Sequence, residues 1–86
     1  MREITHCYEL DGTEMQTPEQ AHHYLKNQLG FPEHYGMNLD ALADCLTDYQ
    51  EETIFWIQNS EKIHFKILHV LEQISQGNPF LMIILE

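Results

Sequence analysis

The sequence predicts an α/β fold with a parallel sheet, from the order of its segments and from its two apolar runs. Segments with strand or helix periodicity follow one another as strand, helix, helix, strand, helix, strand. Residues 53–57 indicate a short buried strand, and residues 80–85 are continuously apolar, which is typical of a strand covered on both faces. Strands that alternate with helices pair in parallel through right-handed crossovers. At 86 residues, we expect a single domain over residues 1–86.

The first strand is predicted at residues 4–10. Its alternation places Ile4, Tyr8 and Leu10 on one face, and Asp11 and Gly12 form the turn that closes it.

The first helix begins at Thr17, whose hydroxyl caps it, with Pro18 at the first helical position and Gln20 at the capping-box position. It ends at Gly30. Its apolar stripe consists of Ala21, Tyr24, Leu25 and Leu29.

The last helix precedes the final strand and ends at the Gly77-Asn78-Pro79 sequence. Ser60 is a candidate for its N-cap. Its core face consists of Ile63, Ile67, Val70, Leu71 and Ile74.

The second helix lies within residues 32–49 and is the most informative part of the chain. Asn38 is predicted to cap it. Helical periodicity gathers Leu39, Leu42, Cys45, Leu46 and Tyr49 into an apolar stripe. The other side carries Asp40, Ala43, Asp44 and Thr47, with Asp48 at its edge.

Asp40, Asp44 and Asp48, here called the aspartate row, follow one another at intervals of four residues. Each like-charge pair at this spacing costs a helix roughly 0.2–0.5 kcal/mol. No lysine or arginine lies within the segment to offset this repulsion. The ordinary interpretation of such a row is a solvated helix face, but solvation alone does not require like charges to cluster, so a binding surface is the second interpretation.

This segment resembles the barstar family, whose members are intracellular inhibitors of secreted barnase-type ribonucleases. The resemblance is dense over residues 29–49, where the sequences Pro32-Glu33, Tyr35-Gly36, residues 38–42 and residues 44–47 match the family pattern. It is looser over the rest of the chain. It implies a barstar-like, three-stranded parallel sheet packed against three to four helices.

The resemblance also implies how such a protein works. The second helix blocks the active site of a basic ribonuclease one-to-one, with carboxylates where RNA phosphates bind. By position, Asp44 is the central anion, Asp40 and Thr47 lie beside it, and Glu72 is a peripheral carboxylate. The other predicted partner-binding residues are His34, Tyr35, Gly36, Asn38, Ala43 and Asp48.

Two positions depart from the family pattern. His34 replaces an aromatic anchor, and Ala43 replaces a tryptophan. Interface hot spots are often aromatic, so these changes indicate a differently shaped target or a weaker complex.

The formal net charge of −10 restricts the class of partner. It repels nucleic acids and anionic membranes, and it accelerates encounter with a basic protein. We therefore expect a basic ribonuclease or a related toxin as the partner, with no nucleic acid and no membrane.

The two cysteines, Cys7 and Cys45, do not have the spacing of a redox or zinc motif. We expect both to be buried, reduced thiols. Together with the absence of a visible signal peptide, this predicts a cytoplasmic protein.

Two alternatives remain open at this point: an immunity protein against a basic toxin that is not a ribonuclease, and a small acidic hydrolase or metal-binding domain. His22 and His23, and likewise His64 and His69, do not have the i,i+3 or i,i+4 spacing that brings two zinc ligands together on a helix. An open helix face also does little to separate the pKa values of paired aspartates, as acid–base catalysis requires. We therefore expect no catalysis, no metal and no cofactor.

Overall fold

In a computed structural model, which describes residues 6–86, three strands form one sheet with the central strand contributed by the middle of the chain. The strands are β1 (His6–Asp11), β2 (Thr53–Gln58) and β3 (Leu81–Leu85). Both pairings are parallel, and Tyr8, Phe55 and Ile83 lie side by side in the register. The predicted α/β fold with a three-stranded parallel sheet is confirmed. Ile4 lies outside the described residues.

Three α-helices connect the strands: α1 (Pro18–Leu29), α2 (Leu39–Thr47) and α3 (Phe65–Gly77). Short 3-10 helices follow β1 at Gly12–Met15 and β2 at Ser60–Lys62. No helix among residues 6–86 is long and apolar enough to cross a bilayer.

The core lies between the α-helices and one face of the sheet. Phe55 at the centre of β2 is fully buried, and the rings of Tyr8 and Tyr49 meet it edge-on with centroid distances of 5.9 and 5.8 Å. The fully buried aliphatic residues of the helices are Ala21, Leu25, Leu42, Leu46, Ile67 and Leu71. These residues come from the stripes predicted for α1, α2 and α3.

Local capping explains where α1 begins and ends. The Thr17 hydroxyl accepts a hydrogen bond from the Gln20 N–H at 3.2 Å, and Pro18 occupies the first turn. Gly30 then adopts a left-handed conformation with φ 69°, which glycine tolerates without a side-chain clash. Both predicted boundaries of this helix are confirmed.

The prediction that Ser60 caps the last helix is wrong. Ser60 begins the short 3-10 helix, and Ile63 is extended and buried, which interrupts the helical path. The cap of α3 is His64, whose Nδ1 accepts from the Lys66 N–H at 3.2 Å.

The prediction that the last strand is covered on both faces is also wrong. Met82 and Ile84 of β3 are 57% and 41% exposed. In the parallel register they neighbour Ile54 and Trp56 of β2, on the sheet face opposite to the buried Phe55. None of the three α-helices covers this outer face, because all of them pack on the other face.

The prediction that both thiols are buried is wrong, for the same reason in the case of Cys7. Cys7 pairs in register with Ile54 on the outer face of the sheet, and it is exposed. Cys45 of α2 is half-buried.

Candidate functional site

Helix α2 separates a charged side from a buried side, as its sequence predicts. All members of the aspartate row are exposed, whereas Leu42 and Leu46 are fully buried. Within residues 6–86, no ion pair joins a basic side chain to any of these carboxylates. The described part of the protein therefore presents an anionic helix face without internal neutralisation.

The amino end of α2 is fixed by its cap. The Asn38 side-chain oxygen accepts from the Ala41 N–H at 2.8 Å, and its amide donates to the Gly36 carbonyl at 3.2 Å. A Cβ atom at Gly36 would lie 3.3 Å from the Ala41 Cβ, closer than ordinary packing allows. Asn38 and Gly36 thus hold the preceding chain tightly against the first turn of the helix.

The carboxyl end of α2 is fixed by a residue far away in sequence. The side-chain amide of Asn78, in the loop before β3, donates to the carbonyls of Leu46 at 3.0 Å and Tyr49 at 3.1 Å. Asn78 is 7% exposed, and its side-chain oxygen accepts from the Phe80 N–H at 2.9 Å. One side chain therefore satisfies carbonyls that a helix end leaves without partners.

Thr47 and Ala43 are linked on the outer side of α2. The Thr47 hydroxyl donates to the Ala43 carbonyl at 2.7 Å, which leaves the oxygen lone pairs available as acceptors. Thr47 is exposed and Ala43 is half-buried.

The segment before α2, here called the 31–38 turn, is compact. The Tyr35 N–H donates to the Pro32 carbonyl at 2.9 Å, and the Tyr35 ring lies against Phe31 with centroids 4.8 Å apart. Met37 has a positive φ of 55°, a conformation that non-glycine residues seldom adopt. His34 is exposed, whereas Tyr35 is only 6% exposed.

The 31–38 turn and α2 enclose a cleft of about 490 Å³. Asp44 of α2 and Asp48 at the carboxyl end of that helix line the cleft on one side, and His34 lines it from the turn. Tyr35 and Tyr49 contribute aromatic surface. Burial raises the pKa values of both tyrosine hydroxyls above their usual range. The cleft therefore joins an acidic edge to an aromatic wall of neutral tyrosines.

Cys45 also lines this cleft, but its environment does not suit a nucleophile. Burial raises the pKa of the thiol, and the nearby charges of Asp48 and Asp44 raise it further. The thiolate is the reactive form of cysteine, whereas burial and, to a lesser extent, the acidic surroundings favour the protonated thiol of Cys45. This argues against a cysteine hydrolase at this position.

Among residues 6–86, no group of three or more His, Cys, Asp or Glu side chains lies close enough to hold a metal ion.

Glu72 and Phe65 lie outside α2. Glu72 is exposed on α3, the helix that packs against α2. Phe65 at the start of α3 is 71% exposed, and its ring stacks on His64 with centroids 4.7 Å apart.

The sequence analysis missed two buried polar residues whose side chains bind the segments that form this site, His22 and Asn78. His22 is 3% exposed, and its Nδ1 lies 2.7 Å from the Tyr35 hydroxyl. A signal existed for His22, which lies three residues before Leu25 and seven before Leu29, on the buried stripe of α1. No local signal distinguishes Asn78 from an ordinary helix-stop residue.

The fold and site together define a small α/β protein that displays a capped acidic helix beside an aromatic cleft. A comparison with family models matches residues 5–76 to Barstar (barnase inhibitor). Because this match covers most of the 86 residues, the chain belongs to the barstar family.

A curated relative comes from Bacillus subtilis (strain 168) and is named "Putative ribonuclease inhibitor YrdF". It is 50% identical to this chain over 40 residues, which is 46% of this chain. The matched segment spans 44% of the length of that relative.

Proposed function

We propose that this protein inhibits a basic, barnase-type ribonuclease by binding it one-to-one and covering its active site with α2. The observation that carries the proposal is the aspartate row, exposed and without internal ion pairs in the described residues, on a helix of a barstar-family chain. The name of the Bacillus subtilis relative supports the same class of function.

The chemistry of the target explains why carboxylates suit this role. A ribonuclease active site must bind phosphate groups, so it presents arginine, lysine or histidine side chains. Carboxylates form short, charge-assisted hydrogen bonds to such groups, and arginine binds them with two parallel bonds. An acidic helix held at both ends can therefore occupy the place of the RNA backbone without being cleaved.

Within this proposal, Asp44 is the central anion, with Asp40 and Thr47 on either side of it along α2. Asp48 adds charge at the carboxyl end, and Glu72 contributes from α3. Asn38 and Gly36 shape the amino end of the surface, and Tyr35 supports the 31–38 turn from below.

His34 and Ala43 set the shape of the contact. Both are smaller than the aromatic residues that the family pattern has there, so the surface beside Asp44 is more open. We expect this surface to fit a target whose active site projects further, or to bind a barnase-type enzyme less tightly. An inhibitor of this kind acts where the ribonuclease would harm its producer, so we place the protein in the cytoplasm. This mode of inhibition requires no catalysis and no cofactor.

Titration of ribonuclease activity tests the proposal. Barnase is held at a fixed concentration, and cleavage of a fluorogenic RNA is followed as inhibitor is added. We expect activity to fall to zero near one equivalent of the parent protein. The double variant Asp40→Ala/Asp44→Ala serves as a matched control, because it removes two carboxylates of the row and, since both residues are exposed, we expect it to fold.

Full ribonuclease activity in the presence of excess folded protein would contradict a barnase-type target. A stoichiometric complex with a basic toxin of another activity would then support the alternative immunity function. Hydrolytic turnover by the purified protein itself would instead place it in the enzyme class.

A further inference from the structure

The buried pair His22 and Tyr35 connects α1 to the 31–38 turn. His22 is 3% exposed and Tyr35 is 6% exposed, and their side chains share a hydrogen bond of 2.7 Å. Their rings also lie against each other, with centroids 5.8 Å apart. Burying a polar group is favourable only when it is paired, so each of these side chains requires the other.

The 31–38 turn is held at two points. At one end, Asn38 binds the Gly36 carbonyl and caps α2. In the middle of the turn, the Tyr35 side chain binds His22 on α1, while the neighbouring residues His34 and Gly36 are exposed. The position of His34 relative to Asp44 across the cleft therefore depends on the bond between His22 and Tyr35.

From this geometry, and resting on the proposed function, we propose that His22 is a positioning residue of the inhibitory surface. Its hydrogen bond to the Tyr35 hydroxyl fixes the 31–38 turn in the conformation that meets the ribonuclease. His22 itself is too deeply buried to touch a partner. Its effect on binding passes through Tyr35 and the turn, by reducing the ordering that complex formation would otherwise require.

The test compares two tyrosine variants that each lose a single hydroxyl. Tyr35→Phe removes the partner of His22. Tyr24→Phe is the matched control, because the Tyr24 hydroxyl accepts a hydrogen bond from the Asp11 N–H at 2.9 Å and serves β1 instead of the turn. Binding to barnase is measured by stopped-flow kinetics under conditions where every variant is folded.

We expect Tyr35→Phe to raise the dissociation constant about threefold to tenfold, the scale of one lost buried hydrogen bond, mainly through faster dissociation. Tyr24→Phe should leave the dissociation constant unchanged although it lowers stability. Equal effects of the two variants on binding, or none from Tyr35→Phe, would overturn the proposal.

Substitution of the histidine gives a second measurement. His22→Leu fills the space without a polar atom and should weaken binding as Tyr35→Phe does. His22→Asn places a polar atom near the position of Nδ1, so it should restore most of the affinity. Loss of affinity in His22→Asn equal to that in His22→Leu would also contradict the positioning role.

The failure of this inference is distinguishable from failure of the proposed function. If Asp44→Ala weakens binding and Tyr35→Phe does not, only the role of His22 is wrong. If the parent protein does not bind barnase, the proposed function is wrong and the role of His22 in it falls too.

Amide hydrogen exchange of the free protein tests the anchoring without a partner. Tyr35→Phe should accelerate exchange within residues 31–38 more than within α3. An equal acceleration in both segments would overturn the anchoring.

Discussion

Asn78 donates its side-chain amide to the carbonyl of Leu46 at 3.0 Å and so ties the carboxyl end of α2 to the loop before β3. The two residues are 32 positions apart in the sequence. Together with the Asn38 cap, this bond fixes both ends of a helix of only nine residues, a length that is marginal for an isolated helix. The carboxylates of α2 are therefore carried on a rigid support.

The binding contributions of the acidic residues should follow a definite order. Asp44→Ala should weaken the complex with barnase most, by more than about 2 kcal/mol, since it removes charge-assisted hydrogen bonds from the centre of the contact. Asp40→Ala should come next. The Thr47 hydroxyl already donates its hydrogen to the Ala43 carbonyl. Thr47→Ala and Glu72→Ala should each reduce the binding free energy by less than about 1 kcal/mol.

Isothermal titration calorimetry of the four variants measures this order. Glu61→Ala, in the 3-10 helix after β2, is the charge-matched control and should bind like the parent. A larger loss at Glu72 than at Asp44 would show that the partner docks on α3 instead.

Association with the ribonuclease should be fast and sensitive to salt. A protein of net charge −10 is steered toward a cationic cleft. The Debye length shrinks from about 30 Å at 0.01 M ionic strength to about 10 Å at 0.1 M, so we expect the association rate to fall about tenfold or more over that range. Stopped-flow mixing at several salt concentrations measures it. A rate that does not change with salt would indicate a mainly apolar interface.

Asp44→Ala should stabilise the free protein by about 1 kcal/mol. The substitution relieves repulsion from Asp40 and Asp48, at a few tenths of a kcal/mol per pair, and alanine is the better helix former by up to about 0.7 kcal/mol. Asp44 is exposed, and its carboxylate accepts no hydrogen bond from residues 6–86. Asp40→Ala should be nearly neutral, because Asp40 lies in the first turn and interacts favourably with the helix dipole.

Urea denaturation of these two variants beside the parent gives the comparison. Destabilisation of Asp44→Ala by more than about 1 kcal/mol would mean that the carboxylate supports the fold, and the argument that it serves a partner would lose its basis.

Stability should decline as the pH falls below about 6.5, the pKa of an ordinary histidine. Burial lowers the pKa of His22 in the folded state, and the neighbouring His23 lowers it further. The unfolded chain therefore takes up a proton at His22 at a higher pH than the folded protein does. By linkage, neutral His22 stabilises the folded protein fully when the pH is above the pKa that His22 has in the unfolded chain. This stabilisation is lost as the pH falls toward the lower pKa of His22 in the folded protein.

Urea unfolding at pH 7.5 and pH 5.5 measures this dependence, above the range in which most carboxylates titrate. The variant His22→Asn should show a flatter profile between these two pH values. An equally steep profile in His22→Asn would assign the dependence to other groups.

The local features of the site were predictable from the sequence. The Asn38 cap, the stripe containing Leu42 and Leu46, and the exposure of Asp44 all follow from residue type and helical spacing. These signals lie within one or two turns of the chain. For that reason the amino-terminal boundary of α2 and the direction of its charged side agree with the structure, whereas Tyr49 of the predicted stripe lies beyond the end of the helix at Thr47.

The features that the sequence did not reveal depend on contacts between distant segments. The side chain of Asn78 binds carbonyls 29 and 32 residues earlier, which no local pattern encodes. The apolar composition of β3 predicted two covered faces, but three α-helices on one side of the sheet leave Met82 and Ile84 exposed. Cys7 is exposed for the same reason.

The uncovered face of the sheet also decides what an optical measurement on this protein reports. Trp56, the chain's single tryptophan, lies on that face, and its indole N–H donates to the Glu86 carboxylate. A ribonuclease docked on α2 would approach from the opposite side of the sheet and leave the surroundings of the indole unchanged. Unfolding would separate β2 from β3 and break the indole contact. The intrinsic emission of this protein is therefore a signal of its folding that would not register binding of a partner to α2.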